Sequence, residues 1–245
     1  TLSYHNPWWK AYHVLESYFT RLSVALSSGQ QVNTVLVLEP TTTAWMYQND
    51  KRVDQLGQQF QSLLVSLERA QVEYDLGSED IIARHGSTDG ASLKVGKCSY
   101  DLVVLPPRTE NLNERTMDLL TAYLRQGGRV LCCGEAPARV DASASDRGQA
   151  LPKQSGWKPV DVSQVPATIA AATKGGFAIE RVKDDKGFLF HHRRVVDDGE
   201  FLFLVNTSIE APSAGTITST ARGITQWDLR TAKVLGYPFE KTEGG

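Results

Sequence analysis

Apolar positions along this chain follow two periods, and the change between them divides it. From Pro7 onward, Trp8, Trp9, Tyr12, Leu15, Phe19, Leu22 and Leu26 recur at three- and four-residue spacing. That is the stripe of an amphipathic helix, opened by a proline and ended by Gly29. The stripe is wide enough to need a large surface to pack against. Residues 32–39 then form a nearly continuous apolar run, followed by an aromatic loop at Trp45, Met46 and Tyr47. A helix is predicted over about 53–70 and a strand over 72–76. Residues 86–97, rich in Gly, Ser and Asp, read as a loop with a short edge strand at 93–95. A buried strand at 101–107, a helix to about 126 and a second buried strand at 128–134 follow. Alternating β and α with continuously apolar strands predicts an α/β fold, a mostly parallel sheet covered by helices on both faces.

Beyond Gly176 the period becomes two. The runs 188–195 and 200–206 are read as two such strands, with Asp197, Asp198 and Gly199 between them, and Asp-Gly between apolar runs is a strong hairpin signal. Strands near 215–220, 224–228 and 233–235 complete a small antiparallel β domain. Residues 136–156 are dominated by Ala, Ser, Asp, Pro and Gly and read as a linker or a long loop. The expected organisation is an N-terminal helix (1–30), an α/β domain (31–156), a linker or loop (157–176) and an antiparallel β domain (177–245).

The strand, helix and strand over 101–135 resemble the core of class I glutamine amidotransferase-like domains, whose sheet is of the flavodoxin type. In active members the second strand ends in a sharp elbow carrying a cysteine flanked by glycines two residues away on either side. Aligned on Val130 and Leu131, that nucleophile position falls on Gly134, and the flanking glycines become Cys132 and Ala136. Nucleophilic catalysis needs a thiolate and an adjacent base, and glycine supplies neither. Cys133 is a poor substitute, because one step along a strand points a side chain to the opposite face. The resemblance also calls for a histidine and a carboxylate two residues apart in a late strand, whereas His192 is followed by Arg193 and Arg194.

Other segments are similar to the region after the catalytic barrel in multidomain bacterial glycoside hydrolases of the family 106 α-L-rhamnosidase type. They are Asn6 to Trp9, Tyr18 to Ser23, Glu39 and Pro40 with Trp45, Tyr74 to Ile81, Tyr100 to Pro107, Gly127 to Leu131, His192 to Arg194 with Leu204 to Ser208, and Trp227 to Thr231. Family 42 β-galactosidases carry a comparable amidotransferase-like module, where it serves subunit association. The resemblance implies an accessory fragment whose partner is the rest of the parent polypeptide, including its catalytic barrel, with carbohydrate contact and self-association as further roles. It also implies a secreted or periplasmic setting. The rivals are a stand-alone glycosidase and a carbohydrate-binding or oligomerisation module.

Composition narrows the alternatives. At 245 residues with 41% hydrophobic content the chain can bury one large core or two modest ones. A formal charge of −2 argues against nucleic acid, whose phosphates demand a concentrated basic surface. No apolar run of about 18 residues is present, so no membrane span is expected. The chain begins at Thr1 without a signal peptide, as expected of a processed or excised segment. Three cysteines make no disulfide framework. Adjacent strand residues such as His191 and His192 project oppositely, so no metal site is expected. No phosphate loop, dinucleotide fingerprint or Gly-x-Ser-x-Gly elbow is present, so no cofactor is expected either.

Two sets of candidate site residues remain. Glycoside hydrolysis needs two carboxyl groups facing one another, and Glu39, Glu79, Asp80 and Glu135 lie near strand C-termini, where open α/β sheets hold their ligand crevice. Glu39 and Glu135 are the catalytic candidates, against the plainer reading of solvated strand ends. Trp45 and Tyr47 are the substrate-binding candidates, because flat aromatic faces cover the apolar side of a sugar ring. The alternative for that pair is packing against a neighbouring domain. Asn206, Thr207 and Ser208 form a glycosylation acceptor on paper and a strand-end turn on the simpler account.

Overall fold

The computed structural model describes residues 4–31, 33–173 and 176–241. A short 3₁₀ turn leads into helix α1 (Tyr12–Ser27). The chain then runs β1 (Val35–Leu38), α2 (Thr41–Met46), α3 (Lys51–Arg69), β2 (Asp75–Gly77), α4 (Glu79–His85), β3 (Gly86–Asp89), β4 (Ser92–Val95), β5 (Cys98–Tyr100) and β6 (Leu102–Leu105). Next come β7 (Asn111–Leu112), α5 (Glu114–Arg125), β8 (Arg129–Cys132), β9 (Arg139–Val140), β10 (Ser143–Ala144), β11 (Trp157–Pro159) and α6 (Val165–Ala172). The remainder is β: β12 (Phe177–Arg181), β13 (Leu189–Val196), β14 (Gly199–Asn206), β15 (Gly215–Ser219), β16 (Thr225–Trp227) and β17 (Val234–Gly236). Two compact units result, Asn33–Lys174 and a second made of Thr1–Val32 with Gly175–Gly245. No helix among the described residues is long and apolar enough to cross a membrane.

The α/β unit is built on a five-stranded parallel sheet in the order β2-β1-β6-β8-β11. Counting its strands in chain order gives 2-1-3-4-5, the doubly wound order in which the direction of winding reverses between β1 and β6. Strands β1 and β6 are buried at every position because both faces are covered. Leu36, Leu38, Val103, Leu105, Val130 and Cys132 share a core with Met117, Leu120 and Tyr123 of α5. Val35, Val37, Leu102, Val104, Leu131 and Cys133 share the other with Leu63 and Leu67 of α3 and Ile169 of α6. Removing a leucine or valine of these strands from water contributes roughly 1.5–3 kcal/mol. Helix α3 starts where Asp50 accepts from Arg52 N (2.9 Å), capping a free helical N–H.

Several boundaries differ from the sequence reading. Residues 157–176 are not a linker as far as they are described. Trp157 pairs with Val130 so that β11 adds the fifth strand, and Val165 and Ile169 of α6 are buried. The sheet keeps a row of β8 hydrogen-bonding groups to satisfy, and an apolar Trp-containing segment meets it. Residues 86–97 are not a loop but the antiparallel meander β3-β4-β5, extended by β5. Its polar strands hide the alternation, while Gly90 and Gly96 make the turns at positive φ (+57° and +59°). The strand expected at 72–76 lies at Asp75–Gly77. Residues 136–156 contain the short β9-β10 hairpin and a 3₁₀ turn at Gly148–Lys153.

The second unit joins α1 to the β ribbons, so residues 1–30 do not stand as a domain of their own. Gly29, at φ +64°, ends the helix where a Cβ would lie 2.0 Å from Val195 O, and Gln30 and Val195 exchange backbone bonds of 2.9 and 2.8 Å. Arg194 reaches the carbonyls of Ser28 (2.5 Å) and Gly29 (2.8 Å), a cation at the negative end of the helix. Arg21 donates to Leu229 O (2.8 Å) and Arg230 O (3.0 Å) in the turn between β16 and β17. The β13-β14 hairpin turns at residues 197–198, and β15, β16 and β17 fall where the period-two pattern puts them. Strand β12, paired with β15, is additional. Val32, and residues 174 and 175 of the expected linker, lie outside the described residues.

Candidate functional site

The C-terminal edge of the parallel sheet, at the reversal between β1 and β6, is where this topology opens its crevice. Four connections meet there: β1 into α2, β2 into α4, the 106–113 segment after β6, and residues 133–136 after β8. Glu79 ties three of them. Its carboxylate is buried and accepts from Thr42 Oγ1 (2.5 Å) on α2 and from Asn113 N (2.7 Å) at the start of α5. Thr43 Oγ1 accepts from Asn111 N (3.0 Å) and Glu110 N (3.2 Å). Charge-assisted bonds to a buried carboxylate are about twice as strong as neutral ones. Glu79 thereby acts as a structural tie, with both oxygens engaged.

Gly134 is solvent-exposed immediately after β8, and a Cβ built on it comes no nearer to another residue than 3.9 Å, from Arg108 N. The position has room for a side chain and carries none. Cys132 and Cys133 belong to opposite cores, as strand alternation requires. Burial pushes the Cys132 thiol up to about 11 and the Cys133 thiol up to about 12, the reverse of what a nucleophile needs. Cys132 Sγ lies 3.4 Å from Gly134 O and 3.5 Å from Glu135 O, further occupied by the turn itself.

The two catalytic candidates follow strands that are not neighbours in the sheet. Glu39 follows β1 and Glu135 follows β8, with β6 between them, which separates their backbones by about 10 Å at normal strand spacing. Glu39 is half-buried and Glu135 exposed, and among the described residues neither carboxylate makes a hydrogen bond or ion pair. Asp80 is exposed and paired with Arg84 (2.5 Å).

Trp45 and Tyr47 are not in a loop. Three threonines and an alanine carry α2 through Met46, and Tyr47 is its C-terminal cap residue. Two steps along a helix turn a side chain by about 200°, so the two rings project to different sides. Trp45 is 64% exposed. Tyr47 donates its hydroxyl to the Glu110 carboxylate, which raises the phenol's pKa, and the Arg52 guanidinium stands 3.9 Å over its ring. Arg52 also pairs with Asp50 (2.6 Å). Glu79, Glu110 and Arg52 were missed as partners from sequence because they lie 37, 63 and 5 positions from the groups they serve.

A cleft of about 290 Å³ lies near the β2 edge, lined in part by Asp75, Ser78, Ile81 and Tyr100. Its acid is committed: Asp75 accepts from Asn33 Nδ2 (2.7 Å) and Tyr100 OH (2.8 Å). In the other unit, His192 contacts Leu26 O (3.3 Å) while His191 stacks near Phe177. Among the described residues no group of three His, Cys, Asp or Glu side chains is arranged to hold a metal ion. Asn206 accepts from Phe188 N (3.0 Å) and Ser208 N (3.1 Å) and donates to Ala211 O (2.7 Å), which makes it a turn residue.

Solved structures of glycoside hydrolases share this fold. A rhamnosidase from Novosphingobium sp. PP1Y superposes at a TM-score of 0.68 with 17% identity, over 97% of this chain and 23% of its own. An apo GH42 exo-carrageenase from Bacteroides ovatus superposes at 0.51 with 12% identity, over 84% of this chain and 28% of its own. Both are glycoside hydrolases, and this chain spans about a quarter of the length of each. No family model and no curated protein sequence matches it.

Proposed function

We propose that this chain is a non-catalytic accessory part of a larger carbohydrate-active enzyme, supporting domain packing, association or completion of a sugar site. The observation that carries the reading is the likeness to glycoside hydrolases over almost the whole of this chain and less than a third of theirs. The vacant elbow at Gly134 and the buried thiols beside it support the non-catalytic half. The test is turnover by the isolated chain on glutamine and on a panel of aryl glycosides. No turnover is expected. Glutamine hydrolysis abolished by Cys133→Ala, or aryl-glycoside release abolished by Glu135→Gln or Glu39→Gln, would replace this reading with a catalytic one.

A carbohydrate-binding role is the second reading, favoured by the exposure of Trp45. It expects indole fluorescence of the isolated chain to shift on titration with monosaccharides and the shift to vanish in Trp45→Ala.

A further inference from the structure

Strand β14 carries an open apolar edge whose register can be read from its ladder. Thr207 N donates to Phe188 O (2.9 Å), so 188 and 207 form a hydrogen-bonded pair in the antiparallel hairpin. Bonded and non-bonded pairs alternate along such a ladder. Phe201, Phe203 and Val205 therefore face β13 with their backbone groups, whereas Glu200, Leu202 and Leu204 turn theirs away. The mirror position on β13 agrees, since Val195, opposite Glu200, directs its backbone outward to Gln30. Among the described residues no backbone group pairs with Glu200, Leu202 or Leu204 on that outer side.

An eight-residue apolar strand with one bare edge is a template for another strand, and stable proteins shorten, charge or cover such edges. Here the strand has neither lysine nor proline, and its one charged residue, Glu200, is paired with Arg193 across the hairpin (3.2 Å). Leu204 and Val205 project to opposite faces and are 40% and 38% exposed, so both faces are incompletely covered as well as the edge. The β12-β15 and β16-β17 ribbons are likewise two-stranded, and a two-stranded ribbon alone is marginal in water.

We propose that the outer edge of β14 receives a further β-strand from a longer polypeptide of which this chain is a part. The proposal rests on the accessory reading above. A second copy of the chain pairing through β14 would complete that ribbon alone, as would a single donated strand. A polypeptide three to four times as long, as in both structural neighbours, supplies enough chain for several.

Residue-resolved amide exchange distinguishes these cases, comparing the 245-residue chain with the longer polypeptide encoded by the same reading frame. In the short chain Phe203 and Val205 should be protected while Leu202 and Leu204 exchange as open amides. In the longer polypeptide Leu202 and Leu204 should slow by about 100-fold or more. A second pair of variants guards against misfolding. Leu204→Pro removes only an outward N–H and should leave the short chain's unfolding midpoint unchanged while reducing protection of Leu202 in the long one; Phe203→Pro should disrupt the β13 ladder in both.

Equal exchange of Leu202 and Leu204 in the two polypeptides, or a reading frame with no further sequence, overturns the proposal. Protection that grows with concentration of the short chain also overturns it, in favour of the second copy. Glycosidase turnover by the short chain would sink the accessory reading and leave this exchange pattern untouched, so the two failures are separable.

Discussion

The two units spend a similar stock of apolar residues in opposite ways. Every described hydrophobic side chain that is fully buried lies between Val35 and Ile169, in the α/β unit. The described residues of the unit of α1 and β12–β17 include none, and Trp8, Leu15, Phe19, Trp227, Val234 and Leu235 are exposed to about half or more. One unit has a sheet covered on both faces; the other has ribbons and a helix held by polar ties such as Arg194 to the end of α1. Large exposed apolar patches mark sites of interaction with another surface. The difference teaches that the α/β unit closes a core of its own while the described residues of the β unit do not, a contrast that the proposed accessory role would explain.

Core truncation should split the units most widely. Leu63→Ala or Leu105→Ala, each fully enclosed, should lower the urea stability of the α/β unit by about 2–5 kcal/mol. Phe19→Ala or Leu235→Ala, both largely exposed, should stay within about 0.5 kcal/mol. Comparable losses in the two sets would erase the contrast.

Loss of the tie at Glu79 should come next. Glu79→Gln leaves one oxygen to accept from either Thr42 or Asn113 and puts an amide donor where the other acceptor stood, so thermal unfolding of the α/β unit should show a loss of about 1–3 kcal/mol. A neutral result would mean that water reaches the site and the carboxylate is not a tie.

How legible these features were in the sequence follows from how local their causes are. The runs at Val35–Leu38 and Leu102–Leu105 announce a sheet covered on both faces because every residue is apolar. Gly29 and the 197–198 turn punctuate the β unit for equally local reasons. Helix α2 was hidden because three of its six residues are threonines, poor helix formers, and the hydroxyls of Thr42 and Thr43 are satisfied by segments far along the chain. The meander at Gly86–Tyr100 was hidden because its strands are polar on the outward side. That Gly134 falls just past a buried strand could be read because the apolar run ends there. The occupation of Tyr47 by Glu110 could not, because nothing local relates residues 63 apart.

The β unit still has one well-closed knot, and pH sharpens the comparison there. Asp185 accepts from Arg181 Nε (3.0 Å), Ser213 Oγ (2.5 Å), Gly187 N (2.8 Å) and Ala214 N (3.2 Å), and its side chain is only 2% exposed. Arg181 first, then Ser213, hold its carboxyl well below the usual carboxylate range. A depressed folded pKa adds stability that is fully present above the unfolded value of about 3.9 and is lost as pH falls through the folded one. Acid titration followed by amide exchange at β12 and β15 should therefore show this knot opening only below the ordinary carboxylate range. In Asp185→Asn that acid dependence should disappear. An opening midpoint near 4 in the native chain would refute the tie.

The smallest expected effect on stability is also the most direct probe of the elbow. Gly134→Cys, made in a Cys98→Ser background to remove the exposed thiol, should fold with the native unfolding midpoint, because a Cβ there meets nothing closer than 3.9 Å. The new thiol stands in solvent, whereas Cys132 and Cys133 are enclosed and their thiols shifted upward by burial. A disulfide reagent should then titrate one thiol rapidly in the folded chain and the other two only on unfolding. Glutamine turnover should remain absent, since no histidine among the described residues of the α/β unit other than His85, at the far end of α4, is available to activate the thiol. If the variant fails to fold, Gly134 serves a conformational need rather than marking a vacated position. If it hydrolyses glutamine, the unit holds a base that the structure does not reveal.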